Sequence, residues 1–205
     1  MNEFDIKAVG WDLNPMHHER SKAVVSKLLE TVPLKRNMIA LEYGAGTGLT
    51  SFLIKDHVKE ITMMDNSSEM VKIMKQKTHM SGAANIKSVF FDLEKETWTG
   101  IKFDLIITQM VLHHVADTES ITGKFHSMLN PGGCLAIADL YPEDGSFHGD
   151  DFTGHKGFNT KLLSVLLSKH GFTDISDRKC FEFNKALADG KTKQFDVFLL
   201  TAYRK

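Results

Sequence analysis

The sequence is poor in cysteine. Two cysteines occur in 205 residues, Cys134 and Cys180, each inside an apolar segment and without CxxC spacing. A disulfide-bonded scaffold needs more cysteines, and a compact zinc site needs them closer together. We therefore expect two reduced, buried thiols and neither a disulfide framework nor a cysteine-based zinc site.

An excess of positive charge is lacking as well. The chain has 25 Lys and Arg against 26 Asp and Glu, so its formal net charge is -1. Such a chain has no net positive field to attract polyphosphates or anionic lipids. We expect no nucleic-acid partner and no membrane partner.

Long apolar runs are also missing. No run approaches the roughly 20 residues that cross a bilayer as a helix. The start, MNEFDIKAVGWDLNP, lacks the basic end and apolar block of a targeting signal. These absences predict a cytoplasmic protein. With 42% hydrophobic residues, the chain can still bury one sizeable core.

What the chain does contain is an alternation of short apolar runs with helical segments. The apolar runs lie at 38–44, 60–65, 86–92, 103–110 and 132–141. They are nearly continuous, as is typical of strands covered on both faces. Segments with helical spacing lie between them at 47–57, 67–80 and 117–130. This order predicts an α/β fold with a doubly wound, largely parallel sheet.

The ends of this pattern are also informative. Pro131 and the two glycines after it are predicted to stop the helix before them. Near the C-terminus a helix at 158–172 precedes two strands at 174–183 and 194–204. A connection this short favours a hairpin, so the sheet is expected to end antiparallel.

The segment IALEYGAGTGLTSFL places Gly44, Gly46 and Gly48 between the first strand and the first helix. Glycines let the backbone approach a ligand and reach positive φ at little cost. A helix N-terminus at the carboxyl end of a strand offers free N–H groups. We interpret this turn as a ligand-binding loop. The alternative is a glycine-rich turn that binds nothing.

Two carboxylates follow the next two strands. Asp65 ends the second strand, where an acid can accept hydrogen bonds from both hydroxyls of a ribose. Asp92 ends the third predicted strand and could accept from an adenine amino group. Either acid could instead only cap the following helix. Ribose and adenine together indicate a nucleoside ligand.

The glycine spacing narrows the choice of nucleoside. Counted from Gly44, the last position of a GxGxxG fingerprint falls on Leu49, which is too large for a dinucleotide site. This disfavours NAD. No GxxxxGKS or GxxxxGKT motif is present, which removes the usual P-loop for ATP.

Five motifs in order resemble those of class I S-adenosylmethionine-dependent methyltransferases. They are LEYGAGTG, the acid that closes strand two, FFDLE, FDLIITQMVLHHV and LNPGGCLAIADL, spanning about Leu41 to Leu140. The flanking stretches WDLNPMHHERSKAVVSKLL and GSFHGDDFTGHKGF resemble the small bacterial, ubiquinone-methylase-like group of type 11/12 methyltransferases.

The resemblance implies a Rossmann-like, seven-stranded sheet ordered 3-2-1-4-5-7-6, with strand seven antiparallel. It implies S-adenosyl-L-methionine as the cofactor, with the glycine loop at its methionyl part, Asp65 at the ribose, and Asp92 with Leu93 at the adenine. The cofactor contacts expected on this basis are Glu42, Gly44, Ala45, Gly46, Gly48, Asp65, Asn66, Asp92, Leu93 and Gln109. Residues 1–35 are expected to form an N-terminal lid or helical extension on a methyltransferase domain at 36–205.

Methyl transfer from a sulfonium is an in-line displacement that asks little of side chains. Positioning the reactants can lower the activation barrier by roughly 7–11 kcal/mol. A base is needed only if the acceptor starts protonated. His113 and His114, where strand four ends, are the base candidates, with His113 as the expected catalytic residue. The alternative is that both only pack or cap.

Two polar clusters are expected to line a substrate pocket. In WDLNPMHHER, Trp11 would give an apolar wall and His17 or His18 a polar contact, unless the histidine pair is incidental. In FHGDDFTGHKGF, the candidates are His148, Asp150, Asp151 and His155. Their spacing matches no compact zinc pattern, so we expect substrate contacts and no metal. The substrate residues predicted are Trp11, His18, His114, His148 and His155.

The acceptor itself is only broadly defined. Strand four ends in TQMV rather than the Asn-Pro-Pro-Tyr type of tetrapeptide that amino-methylating DNA and glutamine methyltransferases carry, and no long inserted recognition domain is present. We expect a small-molecule substrate and a monomer or homodimer. The competing interpretations are a non-catalytic nucleoside-binding or interaction protein on the same fold and, with less support, an NAD-dependent oxidoreductase.

Overall fold

A computed structural model describes residues 3–149, 151–187 and 190–205. Within these residues, seven strands form one sheet in the order β3-β2-β1-β4-β5-β7-β6. The strands are β1 Ile39–Tyr43, β2 Glu60–Asp65, β3 Ile86–Phe90, β4 Phe103–Gln109, β5 Leu129–Leu140, β6 Phe172–Ala186 and β7 Thr192–Arg204. Strands β1 to β5 pair in parallel, and β7 runs antiparallel to both of its neighbours. The predicted fold and strand order are confirmed.

Six α-helices in the described part of the chain connect the strands or precede them. They are α1 Glu3–Lys7, α2 Pro15–Thr31, α3 Leu49–Ile54, α4 Ser68–Ser81, α5 Thr118–Met128 and α6 Thr160–Lys169. Short 3-10 segments lie at Ala8–Leu13, Lys55–His57 and Leu112–His114.

Helices cover both faces of the sheet, and each face has its own hydrophobic core. On one face Leu28 of α2 and Met74 of α4 are fully buried. On the other face Phe125 of α5 and Leu167 of α6 are fully buried. Each such side chain stabilises the fold by about 1.5–3 kcal/mol relative to an exposed position. The central strands are buried on both faces, which explains why their sequences are continuous rather than alternating.

Helix α2 is part of this core. It packs on α3 and on the hairpin strands β6 and β7, and Val24 is fully buried. Of the predicted extension at 1–35, the segment Glu3–Leu13 is the part that lies beside the loops at the carboxyl ends of the strands. Asn14 begins α2 by accepting the amide of Met16, with Pro15 at the first helical position.

Several predicted boundaries differ from the structure by a few residues, and two of these differences change the placement of Pro131 and Asp92. Helix α5 ends at Met128, before Pro131, because Leu129 already has an extended conformation. Pro131 and its glycines therefore lie inside β5, at an irregularity where Phe103 pairs with Leu129 but Leu105 pairs with Cys134. Strand β3 ends at Phe90, so Asp92 lies two residues beyond the strand rather than at its end.

Both cysteines are free thiols; Cys134 is buried in β5 as expected, whereas Cys180 in β6 is only half-buried, contrary to the expectation. Among the described residues, no helix has both the length and the apolar character needed to cross a membrane.

Candidate functional site

The three glycines of the β1–α3 loop all have positive φ, at 67° for Gly44, 56° for Gly46 and 83° for Gly48. They are nevertheless needed for different reasons. A Cβ on Gly44 would collide with the side chain of Val111, so this glycine serves internal packing. A Cβ on Gly46 would meet nothing closer than Trp11 Nε1 at 3.7 Å. Gly46 therefore opens onto a cleft rather than onto the core.

Asp65 joins this loop to the end of β2. One carboxylate oxygen accepts the amide of Gly46 at 2.8 Å, and the other accepts the amide of Ser67 at 2.8 Å. The side chain that caps α4 is Ser67, which accepts the amide of Met70. Asp65 is therefore not the helix cap. Burial raises the pKa of its carboxyl to about 6.

A cleft of about 280 Å³ lies over this loop at the carboxyl ends of the strands, where α/β sheets bind ligands. Six of the ten expected cofactor residues line it, namely Gly44, Gly46, Asp65, Asn66, Leu93 and Gln109. Phe91 and Met110 also line it. Sequence reasoning named neither, although each directly neighbours a residue that it did name.

The other four expected cofactor residues do not line the cleft. Glu42 is buried beneath the loop, accepts the amide of Ser51 at 2.9 Å, and has its pKa raised to about 7 by burial. The amide of Ala45 donates to Met64, and Gly48 precedes the first turn of α3. These residues maintain the shape of the loop.

Asp92 does not line the cleft. Its carboxylate accepts the amide of Glu94 at 3.2 Å and the ammonium of Lys95 at 2.8 Å. This bonding lowers the pKa of the Asp92 carboxyl, although its partial burial acts in the opposite direction. Leu93 and Glu94, rather than Asp92, contribute to the wall of the cleft.

The N-terminal segment Glu3–Leu13, which we call the cover, lies over the cleft. Phe4 and Trp11 line the cleft, with their ring centroids 6.2 Å apart. Asp12 anchors the cover at two points, because it accepts the hydroxyl of Thr47 at 2.5 Å and the ammonium of Lys77 at 2.8 Å. The cover is thereby tied to both the glycine loop and α4.

A second, larger cavity of about 740 Å³ adjoins the cleft. The two share Phe4, Trp11, Met110 and His114. Met110 has φ 56°, a left-handed conformation that is strained for a residue with a side chain and that clusters at functional sites. The junction between the two cavities therefore lies at the end of β4.

The larger cavity has cationic and apolar walls. Lys7, Arg20 and Lys185 line it, and no Asp or Glu of the described residues does. Arg20 is 5% exposed, and its Nε has no hydrogen-bond partner among the residues described. Burial lowers the pKa of its guanidinium to about 10. The aromatic rings of Phe147 and Phe183 add apolar surface.

His113 is buried at the wall of the larger cavity. Its Nδ1 lies 2.7 Å from Asp139 Oδ1, and its amide donates to the other oxygen of the same carboxylate at 3.2 Å. Asp139 is fully buried in β5. Sequence reasoning missed Asp139, although a lone acid inside an apolar strand is a usable signal because buried charges need partners.

Three histidine rings meet at this point. The ring of His113 lies 4.2 Å from that of His114 and 5.1 Å from that of His148, and the last two lie 5.0 Å apart. Burial, together with the neighbouring histidines, lowers the pKa of His114 to about 3. Burial, His113 and the nearby Lys185 and Lys7 lower the pKa of His148 to about 4.

Two predicted substrate residues lie outside both cavities. His18 Nε2 is 2.8 Å from the carbonyl of Asp12, and it is His17 that lines the larger cavity. His155 Nε2 is 3.0 Å from the carbonyl of Val115, so this histidine supports the turn behind the site. Asp151 is exposed. Asp150 lies outside the described residues.

The comparisons with known proteins agree with this geometry. Residues 34–190 match the family model described as a methyltransferase domain, and the chain therefore belongs to that family. Its fold is that of the class I methyltransferases.

Individual relatives show how far this similarity extends. An uncharacterized methyltransferase of Geobacillus kaustophilus is 29% identical over 72% of this chain and 74% of its own length. Another, of Schizosaccharomyces pombe, is 28% identical over 57% of this chain, and the match spans only 43% of that protein.

A solved structure resembles the fold closely. It is an N-methyltransferase of Haemonchus contortus in complex with phosphomonomethylethanolamine and S-adenosylhomocysteine. The TM-score is 0.69 at 15% identity, with 88% of this chain and 52% of that chain covered. At this identity the likeness concerns the fold alone.

Proposed function

We propose that the chain is an S-adenosyl-L-methionine-dependent methyltransferase that transfers the methyl group in line to a small molecule. The observation that carries this proposal is the contact between the amide of Gly46 and the carboxylate of Asp65 at the rim of an open cleft. In a methyltransferase-family chain, this pairing positions a bare backbone beside an acid suited to ribose hydroxyls.

The cofactor would lie along the 280 Å³ cleft. Its methionyl part would approach Gly44 and Gly46, of which Gly46 has open space in front of its backbone, and its ribose would bond Asp65 and Asn66. Leu93 and Phe91 would provide apolar contact with the adenine. Asp92 would act indirectly, because its carboxylate is engaged by Lys95 and holds the turn that presents Leu93.

The methyl group would face the junction of the two cavities. Met110 and His114 line both spaces, so a sulfonium beside them would point its methyl group into the larger cavity. The S–CH3 bond would break as the acceptor attacks from the opposite side, releasing S-adenosylhomocysteine. Holding the acceptor next to the methyl group at this junction can lower the activation barrier by roughly 7–11 kcal/mol.

The acceptor would carry a negative charge on an apolar body. Lys7, Arg20 and Lys185 line the larger cavity without any lining acid among the described residues. Arg20 has an unpartnered Nε in a buried position, which an anionic oxygen would satisfy. Phe147 and Phe183 would contact the apolar part of the acceptor.

His113 remains the best-placed general base. Asp139 accepts from its Nδ1, so the neutral ring carries its lone pair on the other nitrogen. The same arrangement orients histidine bases in other enzymes. His114 lies nearer the cleft, but its pKa of about 3 makes it a weak proton acceptor.

Calorimetric titration tests the cofactor assignment. S-adenosylmethionine and S-adenosylhomocysteine should each bind with one site per chain, and NAD should not bind. Binding of NAD alone would reject the proposal. A transfer assay with methyl-labelled cofactor should then favour apolar carboxylates or phosphates over their neutral esters. Cofactor binding without transfer to any member of such a panel would favour the non-catalytic interpretation.

A further inference from the structure

The histidine cluster contains a set of nitrogens close enough to share one ion. His113 and His114 follow β4, and His148 lies in the loop after β5. One ring nitrogen from each lies within 4.8 Å of the others. Imidazole nitrogens at such separations are within a small movement of the spacing that a tetrahedral ion with bonds of about 2.0–2.1 Å requires.

The contact between His113 and Asp139 adds a second, independent observation. Metal-ligating histidines commonly donate the other ring N–H to a carboxylate, which fixes the tautomer and the ring orientation. Asp139 occupies this position, 2.7 Å from Nδ1, and is fully buried. The remaining nitrogen of His113 is therefore the one that carries a lone pair.

The other two rings, those of His114 and His148, make aromatic contacts. His148 stacks on Phe152 at 3.9 Å, and His114 meets Phe4 edge-on at 5.1 Å. In the described part of the chain, His114 Nδ1 lies 3.9 Å from Glu3, an ion-pair contact that is too long for a hydrogen bond. A partly buried imidazole nitrogen that lacks a hydrogen bond is free to engage a metal ion.

We propose that His113, His114 and His148 bind one divalent transition-metal ion of the zinc type. All three line the larger cavity, so a fourth coordination position would face that space. Three protein ligands with one open position are typical of catalytic rather than structural zinc sites. Nitrogen donors without carboxylates favour zinc or cobalt over magnesium or calcium.

This inference departs from the expectation of no metal. The sequence spacing gave no signal, because His148 joins the other two only through the return of the chain after β5. Metal binding does not depend on the proposed function. The role of the metal does depend on the proposed function: an acceptor hydroxyl or thiol bound at the open position would lose its proton more easily. His113 would then act as a ligand instead of a free base.

Metal titration of the untagged full chain tests the proposal. After treatment with a chelator and dialysis, the protein would be titrated with CoCl2, followed by visible absorption, and with ZnCl2, followed by calorimetry. We expect one ion per chain and the intense visible bands of tetrahedral cobalt. His148→Ala should weaken zinc binding at least about tenfold, and Asp139→Asn by about 10–100-fold, as for other carboxylates behind a ligand.

His57→Ala is the matched control, because His57 is exposed on the 3-10 segment Lys55–His57. It should bind zinc like the parent. The proposal is overturned if no stoichiometric binding occurs, or if His148→Ala binds as tightly as the parent. Titration of each sample with S-adenosylhomocysteine separates this test from that of the proposed function, because cofactor binding should persist in the metal-free protein.

Discussion

The amide of Gly46 donates to the carboxylate of Asp65 across 2.8 Å. Gly46 lies in the turn after β1 and Asp65 is the last residue of β2, so one hydrogen bond joins that turn to the end of the neighbouring parallel strand. Ser67 uses the second oxygen of the same carboxylate. Asp65 is thus both a structural link at the cleft and the residue that we propose for ribose binding.

Replacing Asp65 should affect binding more than folding. Asp65→Ala removes a charged acceptor for two ribose hydroxyls, and bonds of this kind are worth roughly 1.5–3 kcal/mol each before non-additivity. Affinity for S-adenosylhomocysteine should fall by about one to three orders of magnitude. Asp65→Asn should lie between Ala and the parent. Calorimetry and the unfolding midpoint, measured in one buffer, give both quantities.

The loss of two amide contacts should also lower the stability of Asp65→Ala by about 1–3 kcal/mol. Asp56→Ala, an exposed acid on the 3-10 segment, is the control and should change neither quantity. Unchanged affinity with a lowered midpoint would show that Asp65 serves only the loop structure.

Substitution of the glycines should separate packing from ligand access. Gly46→Ala should lose about 1 kcal/mol because its φ is positive, and it should weaken S-adenosylhomocysteine binding at least about tenfold, or about 1.4 kcal/mol. Gly44→Ala should be far less stable, because its Cβ would collide with Val111. Denaturant unfolding and calorimetry measure the two effects.

Gly82→Ala is the control for backbone strain. Gly82 ends α4 with φ 64°, and a Cβ there would contact nothing within 4 Å. It should lose stability like Gly46→Ala but bind the cofactor product normally. If Gly46→Ala also bound normally, the loop would not be the cofactor site.

The contribution of Glu42 to the stability of the fold should decrease as the pH rises through about 7. Burial raises the pKa of Glu42 from 4.5 to about 7, so the folded state retains a proton that the unfolded state has lost. This contribution, of the order of 3 kcal/mol, is fully present below pH of about 4.5 and is lost as the pH rises through about 7.

Glu42→Gln isolates that contribution. Asp65, whose pKa is also raised, acts in the same direction, whereas His114 and His148 act in the opposite one. Because both proteins contain Asp65, His114 and His148, the contributions of these residues cancel in the difference in unfolding free energy between parent and variant. In urea unfolding at pH 5, 6, 7 and 8, the unfolding free energy of the parent minus that of Glu42→Gln should fall as the pH rises. Parallel curves would contradict the assignment to Glu42.

The cover should open more readily when its anchor is removed. Asp12→Asn weakens the contacts to Thr47 and Lys77, both between partly buried groups. We expect the dissociation rate of S-adenosylhomocysteine to rise about tenfold, equivalent to roughly 1.4 kcal/mol, with little change in the unfolding midpoint. Stopped-flow fluorescence can follow this through Trp11, which lines the cleft. An unchanged rate would mean that the cover does not control release.

The sheet could be predicted because its signals are local. Continuous apolar runs, the glycine turn and the short connection before β7 each act within a few residues, and their order specifies a doubly wound topology. The ends of the helices and strands were harder to predict than their order. Pro131 is a strong helix breaker in isolation, yet pairing with β4 incorporated it into β5 as an irregularity.

The sequence by itself determined the fold and much of the cleft, because Gly46 follows β1, Asp65 ends the adjacent β2, and the two must meet at one edge of the sheet. Only the tertiary structure decided which residues actually face that edge: Asp92 turns toward Lys95, and His17 takes the place expected for His18. It also assembled His113, Asp139 and His148. Their contacts arise because β4 and β5 are neighbours and the chain then returns over them, a spatial relation that no spacing along the sequence encodes.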